Sequence, residues 1–137
     1  MSFVWVRADV LRNVHDRLIE TYGGLHGVRD ENALEAAISR PQNLEAYGGV
    51  ESAGRLGAAL AWAILRNHPF ADGNKRAAFA ALTIFFGRNG YRLTCSEVEE
   101  TAMMLRAAAS EITEDEWTAW VERSVALVSA EATSATL

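Results

Sequence analysis

A chain of 137 residues, half of them hydrophobic, is long enough to bury a core as one domain and too apolar to be disordered. Its formal net charge of −5 and its lack of any Lys/Arg run exclude a free-standing nucleic-acid binder, so contact with DNA is expected only through a partner. A single cysteine, Cys95, excludes an internal disulfide and a CxxC zinc site and reads as a small buried hydrophobe.

Phe3 to Val6 is short, apolar and β-branched-rich, which predicts a small edge strand. From about Ala8 the spacing turns helical, with Val10, Val14 and Leu18 joined by Leu11 on one face, until Gly23-Gly24 stops it. Asp30 can cap a second helix from Glu31 to Arg40, with Leu34 and Ile38 four apart. Pro41 is expected to end it, because the residue before proline is biased away from the helical region. Gln42 to Val50 lacks a helical period and contains Gly48-Gly49, so it reads as an exposed loop or short β-like flap.

A third helix is predicted from Ser52 to Asn67, with Leu56, Leu60, Ala63, Ile64 and Asn67 along one face and Pro69 beyond it. A fourth runs from about Asn74 to Asn89 on Phe79, Leu82 and Phe86, with Gly90 as its cap. Tyr91 to Thr94 is β-like. Ser96 with Glu99 forms a capping-box pattern for a fifth helix to about Ala109. Thr113 with Glu116 repeats that pattern for a sixth, whose apolar face is Trp117, Trp120, Val121, Val125 and Val128. Glu131 to Leu137 reads as a frayed tail. Without an internal repeat or linker, residues 1–137 form one all-α domain of about six helices. The start of the chain lacks the charged and apolar regions of a signal peptide, and the longest apolar stretch, Ala58 to Leu65, is far shorter than a membrane span. A cytoplasmic protein with no membrane contact is the expectation.

The stretch His68-Pro69-Phe70-Ala71-Asp72-Gly73-Asn74-Lys75-Arg76 lies between the third and fourth helices. A helix start presents unpaired N–H groups and partial positive charge, so it attracts anions, phosphate above all. Lys75 and Arg76 fall in that first turn, where a cation is disfavoured by roughly 0.3–1 kcal/mol. Gly73 is weak there too, by up to about 1 kcal/mol if helical. A bound polyphosphate offsets both penalties, because glycine admits it, the amides cradle it and the cations neutralise it. Such local rule-breaking marks functional sites. His68 can accept a proton from an attacking hydroxyl, and Asp72 offers a hard oxygen for Mg2+. Together these are the parts of phosphoryl transfer. Taken singly, each residue has a plainer reading: His68 on a helix dipole, Asp72 as an N-cap, Asn74 in a local turn, Lys75 and Arg76 on a solvated face.

At these residues the chain resembles the Fic family, whose signature reads His-Pro-Phe-x-Asp/Glu-Gly-Asn-Gly-Arg. Lys75 is the departure, and lysine there is the mark of the Doc (death-on-curing) branch. Tyr22 to Asp30, Leu34-Glu35 and Arg40-Pro41 also look like Doc proteins. The resemblance implies a Fic-fold bundle with His68 as general base, Asp72 holding Mg2+, and backbone at Gly73 and Asn74 forming an anion hole. It implies that Lys75 and Arg76, with Arg66 nearby, hold nucleotide phosphates. The Gln42 to Val50 flap would align the target by strand addition.

The function implied is a toxin that transfers the γ-phosphate of ATP to a Ser/Thr hydroxyl, with translation elongation factor Tu as target. Most Fic enzymes instead transfer AMP and need glycine where Lys75 stands. Pro69 and Gly73 fit that alternative. A self-inhibiting Ser/Thr-x-x-x-Glu-Gly/Asn motif is missing: Gly27 precedes Glu31-Asn32, and Glu51-Ser52 fails at its last position. The resemblance therefore implies a separate antitoxin with an inhibitory helix. A non-enzymatic role, bridging antitoxin dimers on DNA, is the contrasting hypothesis.

Overall fold

The third helix sets the architecture. The computed structural model describes residues 2–128, and its elements run α1 (Ala8–Tyr22), α2 (Glu31–Gly48), α3 (Ala53–Asn67), α4 (Asn74–Arg88), β1 (Tyr91–Leu93), α5 (Glu97–Ala108), α6 (Glu114–Arg123) and β2 (Val125–Leu127). α3 packs chiefly on α2, α4 and α6, and almost its whole circumference is buried. Its small residues make that possible. A Cβ on Gly57 would lie 2.7 Å from the Phe86 ring, and one on Gly54 3.0 Å from Glu122 Cγ. Leu56, Leu60 and Ile64 meet Leu82, Phe85 and Phe86 in the core. The buried indole of Trp117 donates from Nε1 to the Ala58 carbonyl at 3.0 Å, which satisfies the polar end of an otherwise apolar ring.

Four helix starts carry side-chain caps, from Asp30, Ser52, Ser96 and Thr113. Thr113 and Glu116 form the full reciprocal box, at 3.1 and 2.9 Å. Ser96 supplies only its half. The Glu99 carboxylate instead accepts from Trp120 Nε1 on α6 at 2.7 Å, tying α5 to α6.

Three elements differ from the sequence expectations. α2 does not end at Arg40: it continues through Pro41 to Gly48 and closes on Gly49 in the left-handed region, φ 67°. An interior proline costs about 3 kcal/mol. The Pro41 ring is buried, Leu44 packs against the core, and Gln42 Nε2 gives the Ile38 carbonyl an extra donor at 3.2 Å. Residues 42–48 are therefore helix and offer no extended edge for strand addition. Phe3 to Val6 forms no strand. The Asn89 side chain takes the place of a partner, accepting from Val4 N at 2.7 Å and donating to Val4 O at 2.9 Å. Val125 leaves the sixth helix to begin β2, antiparallel to β1 with Arg92 opposite Ala126. The expected tail, Glu131 to Leu137, lies outside the described residues.

Candidate phosphate-binding site

α3 terminates at His68, whose backbone is left-handed at φ 47°, ψ 60°, a conformation unfavourable by roughly 1–2 kcal/mol for a residue with a Cβ. Arg29 holds it there. Its Nε donates to the His68 carbonyl at 2.8 Å and its terminal nitrogen to the Asn67 carbonyl at 2.7 Å, placing a cation on the negative end of α3. The backbone beside it is pinned as well: Arg29 N and Asp30 N both donate to Pro69 O, and Ala71 N donates to Gly27 O at 3.0 Å.

The turn that follows closes on itself. Asn74 Oδ1 accepts from Phe70 N and Asn74 Nδ2 donates to Phe70 O, each at 3.0 Å, so the turn-forming role of Asn74 is real. Asp72 is not a simple N-cap. Gly73 occupies that position at φ 71°, and the Asp72 carboxylate accepts from Gly73 N at 2.9 Å and Leu25 N at 3.3 Å. Gly24 must be glycine for this contact, since its φ is +115° and a Cβ would lie 2.7 Å from Asp72 Oδ2. α4 starts with no side-chain cap and no acid in its first turn, which carries Lys75 and Arg76. Its first N–H groups are left for an external acceptor.

A groove of about 1050 Å³ opens over this helix start. It gathers His68, Asp72, Gly73, Asn74, Lys75 and Arg76, with Tyr22 of α1 and Met104 of α5 on its walls. Arg66 is not brought in. Its guanidinium binds Ser110 and the Ala107 carbonyl and lies 4.6 Å from the Trp62 ring, joining α3 to the end of α5. Tyr22 and Glu100 also line the groove, and the sequence gives neither of them a role at the site. Tyr22 lies under Arg76, whose guanidinium carbon is 4.2 Å from the ring centre; its four-residue spacing from Leu18 is the signal that could have found it. Glu100 gave no local signal. Burial pushes its carboxyl up, against the pull of the Cys95 thiol 3.8 Å away. Burial, then the charge of Glu100, raises Cys95 in turn, so this half-buried thiol is kept protonated.

Among the described residues no three His, Cys, Asp or Glu side chains converge on one point. A cation held here would rely on the Asp72 carboxylate and on ligand oxygens. That donor set suits Mg2+, which keeps its waters and takes one or two carboxylates beside phosphate.

A helical domain with an anion-receptive helix start at its centre is the class that this fold and site define. Residues 5–86 match the model of the Fic/DOC family, and the chain belongs to that family. It is 36% identical over 107 residues to "Protein kinase doc" of Escherichia phage P1, an alignment covering 78% of this chain and 84% of that protein. It is 44% identical over 75 residues to "Toxin Doc" of Mycolicibacterium smegmatis, covering 53% of this chain and 56% of that one. Both relatives carry the name Doc, which sets the chain on that branch of the family.

Proposed function

We propose that this protein is the toxin of a toxin–antitoxin pair, a protein phosphotransferase that moves the γ-phosphate of Mg-ATP to a Ser/Thr hydroxyl of a target. Elongation factor Tu is the target the resemblance implies, and arrest of protein synthesis the outcome. The observation that carries the reading is the uncapped start of α4, with Gly73 left-handed and cations in the first turn, beside His68. His68 takes the proton from the acceptor hydroxyl as the new P–O bond forms and the bond to the nucleoside diphosphate breaks. The Gly73 and Asn74 amides hold the oxygens of the transferred group, and Lys75 and Arg76 neutralise the neighbouring phosphates. Tyr22 keeps Arg76 in place by stacking. Asp72 holds Mg2+, which when bound offsets the charge on the phosphate oxygens.

Lys75 favours γ-phosphate transfer, because a long cation stands where AMP-transferring relatives need glycine. Pro69 and Gly73 support AMP transfer as the second reading. The exposed Tyr22 and Leu105 at the groove suit an antitoxin helix laid along it, and DNA contact would then come through the antitoxin. Expression without antitoxin tests the enzymatic reading: growth arrest that disappears in His68→Ala supports it. Arrest that persists unchanged in His68→Ala refutes it in favour of a binding role.

A further inference from the structure

We infer that His15, buried on α1 and outside the motif, is a positioning residue that sets the orientation of the Asp72–Gly73 peptide; this rests on the reading of the Gly73 amide as part of the phosphate cradle. His15 and Ser124 are the buried polar side chains among the described residues, and His15 is 1% exposed. Its ring lies flat on buried Phe70, with centroids 4.0 Å apart and planes within 8°. Its Nε2 is 2.7 Å from the Asp72 carbonyl oxygen. A carbonyl only accepts, so Nε2 carries the hydrogen and the tautomer is set.

The consequence follows from peptide geometry. In a trans peptide the C=O and the next N–H point in opposite directions. Drawing the Asp72 carbonyl inward onto His15 turns the Gly73 N–H outward, to the side where Asp72 Oδ1 meets it at 2.9 Å and the groove opens. Gly73 itself offers no resistance to the reverse arrangement, because glycine accepts either sign of φ. A turned peptide would present a carbonyl oxygen to the anion in place of a donor. The restraint comes from His15 on the carbonyl, clamped in turn by Phe70, and from the Asp72 carboxylate on the N–H.

Glutamine places an amide Nε2 the same number of bonds from Cβ, so it can keep the hydrogen bond without the ring; leucine cannot. In His15→Leu, transfer from γ-labelled ATP should fall about a hundredfold, the scale of losing one preorganised donor, and His15→Gln should recover most of it. A purely structural His15 would give both folded variants the same rate. In 15N-labelled protein, inorganic phosphate should shift the Gly73 amide in the wild type and in His15→Gln, and not in His15→Leu. Equal shifts in all three overturn the inference, as does an imidazole spectrum of the wild type showing Nε2 without hydrogen, a result that stands even if His15→Leu fails to fold. A wild-type Gly73 amide unmoved by phosphate refutes the cradle reading instead, while the tautomer still decides whether His15 holds the peptide.

Discussion

Gly23 and Gly24 form a matched pair for testing how Asp72 is held. Both have positive φ, +88° and +115°, but a Cβ on Gly23 meets nothing within 4 Å, whereas one on Gly24 lies 2.7 Å from Asp72 Oδ2 and 3.2 Å from Ile19 Cδ1. Alanine at either position brings backbone strain of about 1–3 kcal/mol. Only Gly24→Ala also drives the carboxylate away from Leu25 N and Gly73 N. Hydrogen bonds to a charged group contribute about 1.5–3 kcal/mol when sheltered, and Asp72 is exposed, so about 1.4 kcal/mol is the reasonable scale, or roughly a tenfold effect. The Mg2+ concentration for half-maximal transfer should therefore rise about tenfold in Gly24→Ala and stay near the wild-type value in Gly23→Ala. Urea unfolding of both would set the strain apart from the site effect. Equal Mg2+ dependence in the two variants, both folded, would show that the Gly24–Asp72 approach does not govern the cation site.

Arg29→Ala removes two donors from the carbonyls of Asn67 and His68; with about 2 kcal/mol of restraint lost, His68 should leave its left-handed pose and the transfer rate should drop ten- to thirtyfold, read against a small change in urea midpoint. Arg66→Ala should lower stability by about 1–3 kcal/mol, since it strips partners from the end of α5, yet leave ATP affinity within twofold by calorimetry. Glu100 has its carboxyl raised by burial, so the folded state takes up its proton more readily than the unfolded chain. Its contribution is present below the ordinary glutamate range and lost as pH rises through the raised value. Glu100→Gln should therefore gain stability at neutral pH and gain none below that range in thermal unfolding measured across pH.

Local chemistry announces itself in this chain and distant partners do not. Asp30, Ser96 and Thr113 cap helices where short-range pattern places them, and the loop from His68 to Arg76 stands out because its cations oppose the helix dipole. Pro41 misleads, since its local cost is outweighed by burial of its own ring and by Leu44 further along the same helix. Val121, Val125 and Val128 continue a helical spacing, and only pairing with Tyr91–Leu93, far back along the chain, turns the second half into a strand. Arg66 sits two residues from His68 in sequence, but such neighbours lie on nearly opposite faces of a helix, so it turns to α5 instead. His15 and Arg29 support the loop from far upstream, and nothing in their immediate surroundings says so.

Parallel incubations with γ-labelled and α-labelled ATP, Mg2+ and a cell extract, beside a His68→Ala control, bear most directly on the proposed phosphotransfer. Label reaching protein only from the γ-phosphate, and only with His68 present, is the expected result. Label arriving from the α-phosphate would contradict it and make this chain an AMP transferase despite Lys75.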